Sequence, residues 1–409
     1  MKLREHTSFV RFWFASTTSN FGTYITTVAL QVIVIVNMGG SAIDVGWVSA
    51  SRWLPYVLLG LIAGVIIDLF HRKAIMVITD IGRGILLSFI CLMAYTEVLS
   101  IGWLMFLLVL FGTMSLFNDA ASQSFVPQLV PRTLLTRANA RLEQSAAVAE
   151  TSGPAIGGVL TQILSAPFAL LVDAVTYLIS GIFIASVKHQ PTEKVKNGPL
   201  GYQIKEGLHW IYRHQHLGTL ALNTHTWFLF HSMTTTVFVS FVLTEIGFDA
   251  ALLGIVLGAA GVGAVAGTSL SVRIGEHFGA GRAISFSRNL YGPAVVLIAL
   301  APAAIDSNPQ NIAFLLVIVG QFLYGFAMGI EGPLEMAYRQ FVTPSHLQGR
   351  MNATLRSINR SFVVIGAPLG GLIADQLGSR TALSVSLIGL TLCGLWFSFS
   401  PMRHAQIAD

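Results

Sequence analysis

Twelve apolar stretches, each long enough to cross a lipid bilayer, run through this chain and leave little room for anything else. They fall at about 9–36, 46–67, 74–95, 101–124, 140–164, 167–187, 217–244, 251–274, 283–304, 311–335, 351–374 and 381–400. A bilayer-spanning helix needs roughly 20 apolar residues. Soluble domains carry about 25% charged residues, whereas here 54% of 409 residues are hydrophobic and 11% charged. The expectation is an all-α integral membrane protein with twelve transmembrane helices, not a string of soluble domains. The first run is too long for the apolar region of a signal peptide, and no small-residue cleavage pattern follows it, so it reads as a retained helix. Cys91 and Cys393 lie inside apolar runs, where a thiol acts as a small hydrophobe; no disulfide and no cysteine metal site is expected. The net charge of +5 does not point to nucleic acid, because the basic residues sit in short loops between the runs.

One connection is long. Residues 188–216 carry Lys188, Lys194, Lys196, Lys205 and Arg213 with Pro191 and Pro199. This predicts a polar linker between two six-helix halves, 1–187 and 217–409, with a short interfacial helix over Tyr202 to Tyr212. Charge sets the orientation. With a cytoplasmic N-terminus, the inner connections hold Arg72, Lys73, Arg132, Arg137, the linker, Arg282, Arg339 and Arg350. The outer ones hold Asp44, Glu97, Glu245, Asp249 and Asp306, with Arg380 alone among bases. Basic residues favour the cytoplasmic side, so both termini and the linker are expected there.

The chain also repeats itself. At a shift of 213 residues, Gly112 falls on Gly325, Pro131 on Pro344, Arg137 on Arg350, Asn139 on Asn352 and Ala140 on Ala353. Gly153, Gly157 and Gly158 fall on Gly366, Gly370 and Gly371. The fourth and fifth runs thus correspond to the tenth and eleventh, in the same orientation. Parallel halves related by an axis along the membrane normal are one known plan for transporters.

Two motifs carry a family resemblance. After the second run comes Gly64-Val-Ile-Ile-Asp68-Leu-Phe-His71-Arg72-Lys73, which resembles the G-x-x-x-D-R-x-G-R-K loop of the major facilitator superfamily. Gly64 allows close helix approach, Asp68 is placed to meet the positive end of a neighbouring helix, and Arg72 and Lys73 anchor the loop. The match departs at Leu69, where the family has Arg, and at Phe70 or His71, where it has Gly. The fifth run holds Gly153-Pro154-Ala-Ile-Gly157-Gly158, similar to the G-P-x-x-G-G element of exporters in that superfamily. Small residues let helices approach, and Pro kinks them. Asp80 and Arg83 share a face of the third run. With Gly349-Arg350-Met-Asn352 before the eleventh run, these features resemble the drug and siderophore exporter branch, to which macrolide efflux proteins and the enterobactin exporter belong. The resemblance covers essentially the whole chain. It implies two pseudo-symmetric six-helix halves, a central cavity faced by the first, fourth, seventh and tenth helices, and gating by the residues just quoted.

Ionisable groups inside a bilayer are costly and default to functional candidates. Depth along the runs picks out Arg52, Asp119, Glu150, Asp173, Glu331, Glu335, Arg356 and Arg360. Asn118 corresponds to Glu331 under the repeat, so two cavity helices carry carboxylates at nearly matching depth. Low polarity disfavours the charged form of a carboxyl, which suits proton exchange; Asp119, Glu150, Glu331 and Glu335 are the candidates. Glu150 is equally readable as a structural partner of Arg356 or Arg360. Arg52 and Asp173 read as structural, near the outer surface. Asn20, Tyr24, Thr27 and Gln31 form one stripe on the first helix. With His231, Gln321 and Tyr324, the residues Asn20, Tyr24 and Gln31 are the candidate substrate contacts.

The four cavity helices carry no central Arg or Lys, which argues against uptake of phosphate or dicarboxylates. No Asp-rich metal motif, Walker loop or extramembrane domain points to an enzyme or ATP-driven pump. The expectation is a proton-coupled antiporter that exports amphipathic small molecules (a drug, antibiotic or siderophore), monomeric, in a bacterial inner membrane, without cofactor or metal. The alternative is a selective importer or facilitator of a neutral metabolite.

Overall fold

The computed structural model describes residues 3–131, 134–187, 200–303 and 309–406. Among them there is no β-strand. Twelve helices of 20 to 34 residues are α1 (Thr7–Val32), α2 (Ala42–Leu69), α3 (Arg72–Tyr95), α4 (Ile101–Phe125), α5 (Leu135–Leu164), α6 (Ala166–Ala185), α8 (Gln215–Ser240), α9 (Ala250–Phe278), α10 (Ala280–Ala299), α11 (Pro309–Val342), α12 (Ser345–Leu377) and α13 (Ser379–Phe399). The shorter α7 (Leu200–Arg213) precedes α8. By length and composition nine helices qualify as membrane spans among the described residues. The other three, α2, α5 and α10, are 28, 30 and 20 residues long.

Each of the twelve apolar runs falls on one long helix, and α7 covers the helix expected over Tyr202 to Tyr212. Residues 188–199 of the linker, Arg132 and Asp306 lie outside the described residues. Several helices outrun their apolar stretch: α5 starts at Leu135, α11 ends at Val342 and α12 starts at Ser345. Those ends carry Arg137, Arg141, Arg339 and Arg350. Hydropathy marks the part of a helix that meets lipid, while backbone hydrogen bonding continues past it.

Three of the helices that start on the face opposite the linker are capped from their own sequence. Ser41 and Asp44 close a capping box on α2. Ser100 Oγ accepts from Trp103 N–H at 3.3 Å on α4, and Asp249 Oδ1 accepts from Leu252 N–H at 2.8 Å on α9. Such caps satisfy N–H groups that have no intrahelical acceptor. Both α1 and α8 end on this face in a π-helical turn, over 33–37 and 241–245, so the repeat extends to local backbone detail.

The six helices before α7 pack mainly among themselves, α1 on α5 and α6, α3 on α4 and α6, and α2 on α4. Those after it do likewise, α8 on α12 and α13, α9 and α10 on α11, and α10 on α13. The two sets meet along α2 and α12 and along α5 and α9. Because the repeat maps α5 onto α12, these seams are counterparts. Both close on glycine. A Cβ on Gly46 would stand 2.6 Å from Ala367 O, and one on Gly158 2.5 Å from Gly254 Cα. Backbones approach this closely only where side chains are absent. Gly158→Val is therefore expected to push α5 off α9 and cost about 1–3 kcal/mol. A thermal melt in detergent should show a lowered midpoint; an unchanged midpoint would mean the seam is not tightly closed.

Candidate functional site

Between the two helix sets lies a cavity of about 580 Å³, within the range that holds small organic ligands. Its wall runs from Leu30 and Gln31, near the glycine seams, to Ser16, Gln123 and Asn139 toward the linker-side ends of α1, α4 and α5. The polar stripe of α1 faces it: Asn20, Tyr24, Thr27 and Gln31 all line the wall. So do His231 on α8 and Gln321 and Tyr324 on α11. His231 Nδ1 and Tyr324 Oη are hydrogen-bonded at 2.7 Å, and the imidazole stacks on Trp227 at 4.4 Å. The structure thus brings all six expected contact residues into one cavity.

Two of the four expected proton-carrying acids are there as well. Asp119 Oδ2 accepts from Tyr56 Oη at 2.8 Å and from Arg356 Nη1 at 3.2 Å. Arg356 is on α12, so this pair bridges the two helix sets. Both partners are more than a third exposed, at 38% and 37%, so water screens the pair and its breaking is cheap. Glu150 on α5 faces the cavity beside Tyr24, to which it is hydrogen-bonded.

Glu331 and Glu335 are placed differently from the expectation that put them in the cavity. They form a buried cluster inside the second helix set. Arg288 Nη2 lies 2.8 Å from Glu331 Oε1 and 3.2 Å from Glu335 Oε2. Thr224 Oγ1 donates to Glu335 at 3.0 Å, Tyr291 Oη donates to Glu331 at 3.2 Å, and Arg339 pairs with Glu335. The physical reason is Arg288 itself, which is wholly buried and needs countercharge. The first set holds the equivalent arrangement. Arg83 pairs with Asp80, which accepts from Asn118 Nδ2 at 2.9 Å and from Ser180 Oγ at 2.7 Å. Asn118 holds the place of Glu331, and the acid has moved onto α3.

The expected gating residues spread over several sites. Asp80 and Arg83 form the buried cluster just described. Lys73 Nζ donates to Val187 O at 3.0 Å, tying the start of α3 to the end of α6, and Arg72 starts α3 beside it. The side chains at Gly64 and Asp68 lie outside the described residues. In α5, Gly153 faces Tyr24, Gly157 faces Ile25, Gly158 faces Gly254, and Pro154 lines the cavity. That element fits α5 against α1 on one side and α9 on the other. No cluster of metal-ligating residues occurs among the described residues.

Sequence reasoning did not place α2 or α12 on the wall. Arg52, Trp53 and Tyr56 reach it from α2, and Arg356 and Arg360 from α12. Arg52, expected to be structural, thus lines the cavity, and the argument against phosphate or dicarboxylate uptake, made from four helices, left out these three cations. The available signal was spacing. Arg52 with Tyr56, and Arg356 with Arg360, stand four apart and so share a helix face. Asp173, expected to be structural, is buried and accepts from Thr26 Oγ1 at 2.5 Å and Thr176 Oγ1 at 2.9 Å.

Comparison with known proteins follows this architecture. The multidrug efflux pump Tap of Mycolicibacterium fortuitum is 25% identical over 407 residues, covering 97% of this chain and 96% of that protein. Macrolide efflux protein A of Streptococcus pyogenes is 23% identical over 378 residues, 87% of each chain. Among solved structures, the nucleoside transporter NupG superposes with a TM-score of 0.72 at 11% identity, over 95% of this chain and 98% of that one. A bacterial homologue of the iron transporter ferroportin gives 0.69 at 16% identity, over 97% and 98%. These structures share the fold. The profile of one family, the transmembrane secretion effectors, matches residues 3–409, and the chain belongs to that family of major facilitator superfamily transporters.

Proposed function

We propose that this transporter exports amphipathic small molecules in exchange for protons, by alternating access of a cavity between two six-helix halves, 1–187 and 217–409. The cavity carries the reading. It is enclosed by both helix sets, its wall reaches toward the linker face, and glycine seams close the opposite face. With the linker on the cytoplasmic side of a bacterial inner membrane, the site faces the compartment from which cargo is taken. The similarity to the efflux proteins Tap and macrolide efflux protein A supports the direction. The working unit is one chain, since the cavity is complete within it.

Asp119 and Glu150 are the proposed coupling acids. Protonating Asp119 removes the countercharge of Arg356 on the other half and loosens the cross-half contact. Substrate in the cavity competes for the same groups. Antiport follows if proton and substrate cannot occupy the wall together.

The test uses purified protein in liposomes with a pH-sensitive dye inside. A proton gradient and a panel of amphipathic drugs should give substrate-triggered proton flux. Asp119→Asn with Glu150→Gln is expected to cut that flux by about tenfold or more, while substrate counterflow without a gradient persists. Full coupled flux in the double variant would remove both acids from the mechanism. Gradient-independent movement of a neutral solute alone would favour a facilitator.

A further inference from the structure

We infer that Arg52 and Arg360, both close to the ring of Trp53, form an anion-binding subsite, so that the preferred cargo is an organic anion with an aromatic or apolar body. The inference rests on the exporter reading and specifies its substrate class. Both guanidinium groups line the cavity. Arg52 is 6% exposed, and its Nη1 donates to Thr27 Oγ1 at 2.9 Å. Its guanidinium carbon lies 5.3 Å from the centres of Trp53 and of Phe111. That of Arg360 lies 3.8 Å from the centre of Trp53 and 5.8 Å from that of Phe228. Neither arginine has a carboxylate within ion-pair distance among the described residues.

The contrast with the buried Arg83 and Arg288 gives this weight. Arg83 is neutralised by Asp80, and Arg288 by Glu331 and Glu335. A buried cation with no carboxylate in contact is costly; on the cavity wall Arg52 is in that state, with Asp173 acting on it only from beyond ion-pair distance, and Arg360 is half-buried beside it. The acids nearby make their short contacts elsewhere: Asp119 with Tyr56 and Arg356, Glu150 with Tyr24, and Asp173 with Thr26 and Thr176. A ligand acid entering the cavity would supply the missing charge. Guanidinium groups match carboxylate, sulfonate and phosphate oxygens in pairs. Their two carriers come from different halves, α2 and α12, so one bound acid would bridge the moving parts. Trp53, Tyr56 and Phe228 offer faces for an apolar ring beside it.

The probes are fluorescein and rhodamine 123, which share a ring system but carry opposite charge at neutral pH. Fluorescence anisotropy is read on the full chain in nanodiscs of neutral lipid, with empty discs as the blank. Fluorescein is expected to bind about tenfold more tightly than rhodamine 123. Arg360→Gln should abolish that preference; a cooperative thermal melt in detergent matching that of the unaltered protein shows that the variant is folded. Arg360→Lys and Arg52→Lys should retain part of it. Equal or tighter binding of rhodamine 123 to the unaltered protein overturns the inference, as does fluorescein binding unchanged in Arg360→Gln. Displacement of fluorescein by inorganic phosphate at equal concentration also overturns it, because the site would then take a bare anion. Gradient-driven rhodamine 123 export with no anion preference would sink the subsite and leave the exporter reading standing. Export of neither dye, nor of any compound in the drug panel, would sink both.

Discussion

Replacing Glu331 and Glu335 together by glutamine is expected to lower stability by about 3–5 kcal/mol. Arg288 is fully buried between α10 and α11, and these two carboxylates are its countercharge. Its Nε and Nη1 have no hydrogen-bond partner among the described residues, so few other acceptors remain to take up the charge. Removing one partner of a buried pair costs more than removing both, because the survivor stays charged in a poor solvent. The volume-matched triple change Arg288→Met, Glu331→Gln and Glu335→Gln should therefore recover much of the loss. Thermal melts in detergent of the double and triple variants give the comparison. A double variant that melts normally but transports without proton coupling would instead make these acids proton carriers.

That cluster also shows where sequence reading stops. The twelve helices were legible because lipid contact demands runs of about 20 apolar residues, and the linker helix because charge and Pro frame it. The α1 stripe was legible because Asn20, Tyr24, Thr27 and Gln31 keep helical spacing. Nothing near Arg288 in the sequence announces its partners, which lie on another helix more than 40 residues on. The repeat held a clue, since Asn118 falls on Glu331 at the shift of 213. Arg83 meets its counterpart Arg288 only at a shift of 205, and one register could not show both. The cavity arginines stood out by depth but were not placed on the wall, for another reason. The family resemblance assigned the wall to four helices, whereas α2, α5 and α12 also lie along it and supply Arg52, Glu150, Arg356 and Arg360. Both gaps concern where polar groups meet across helices, which is set by packing and not by local pattern.

Asp375→Ala is expected to shift the protein toward a state open on the face opposite the linker, by about tenfold in population. Asp375 sits near the end of α12, and its two carboxylate oxygens each accept from a backbone N–H of α2, at Ala42 and Ile43, both at 3.1 Å. One half thereby caps a helix of the other. The positive end of α2 favours a carboxylate at this place. Gly371, one turn earlier on α12, lies against Ala42 and Ile43 and lets the chains approach. A helix cap is worth about 0.5–2 kcal/mol, and 1.4 kcal/mol is tenfold in a two-state equilibrium. The contact is lost only when the seam opens, so its removal raises the open population without touching the cavity wall. Gln31→Cys reports it, because Gln31 lines the cavity at the sealed end and is 9% exposed. Cys91 and Cys393 are buried outside the cavity wall and add little background. A membrane-impermeant maleimide applied from outside should label Gln31→Cys about tenfold faster when Asp375→Ala is present. Asp375→Asn keeps one oxygen acceptor and should fall between. An unchanged labelling rate would mean that the glycine seams alone hold this face shut.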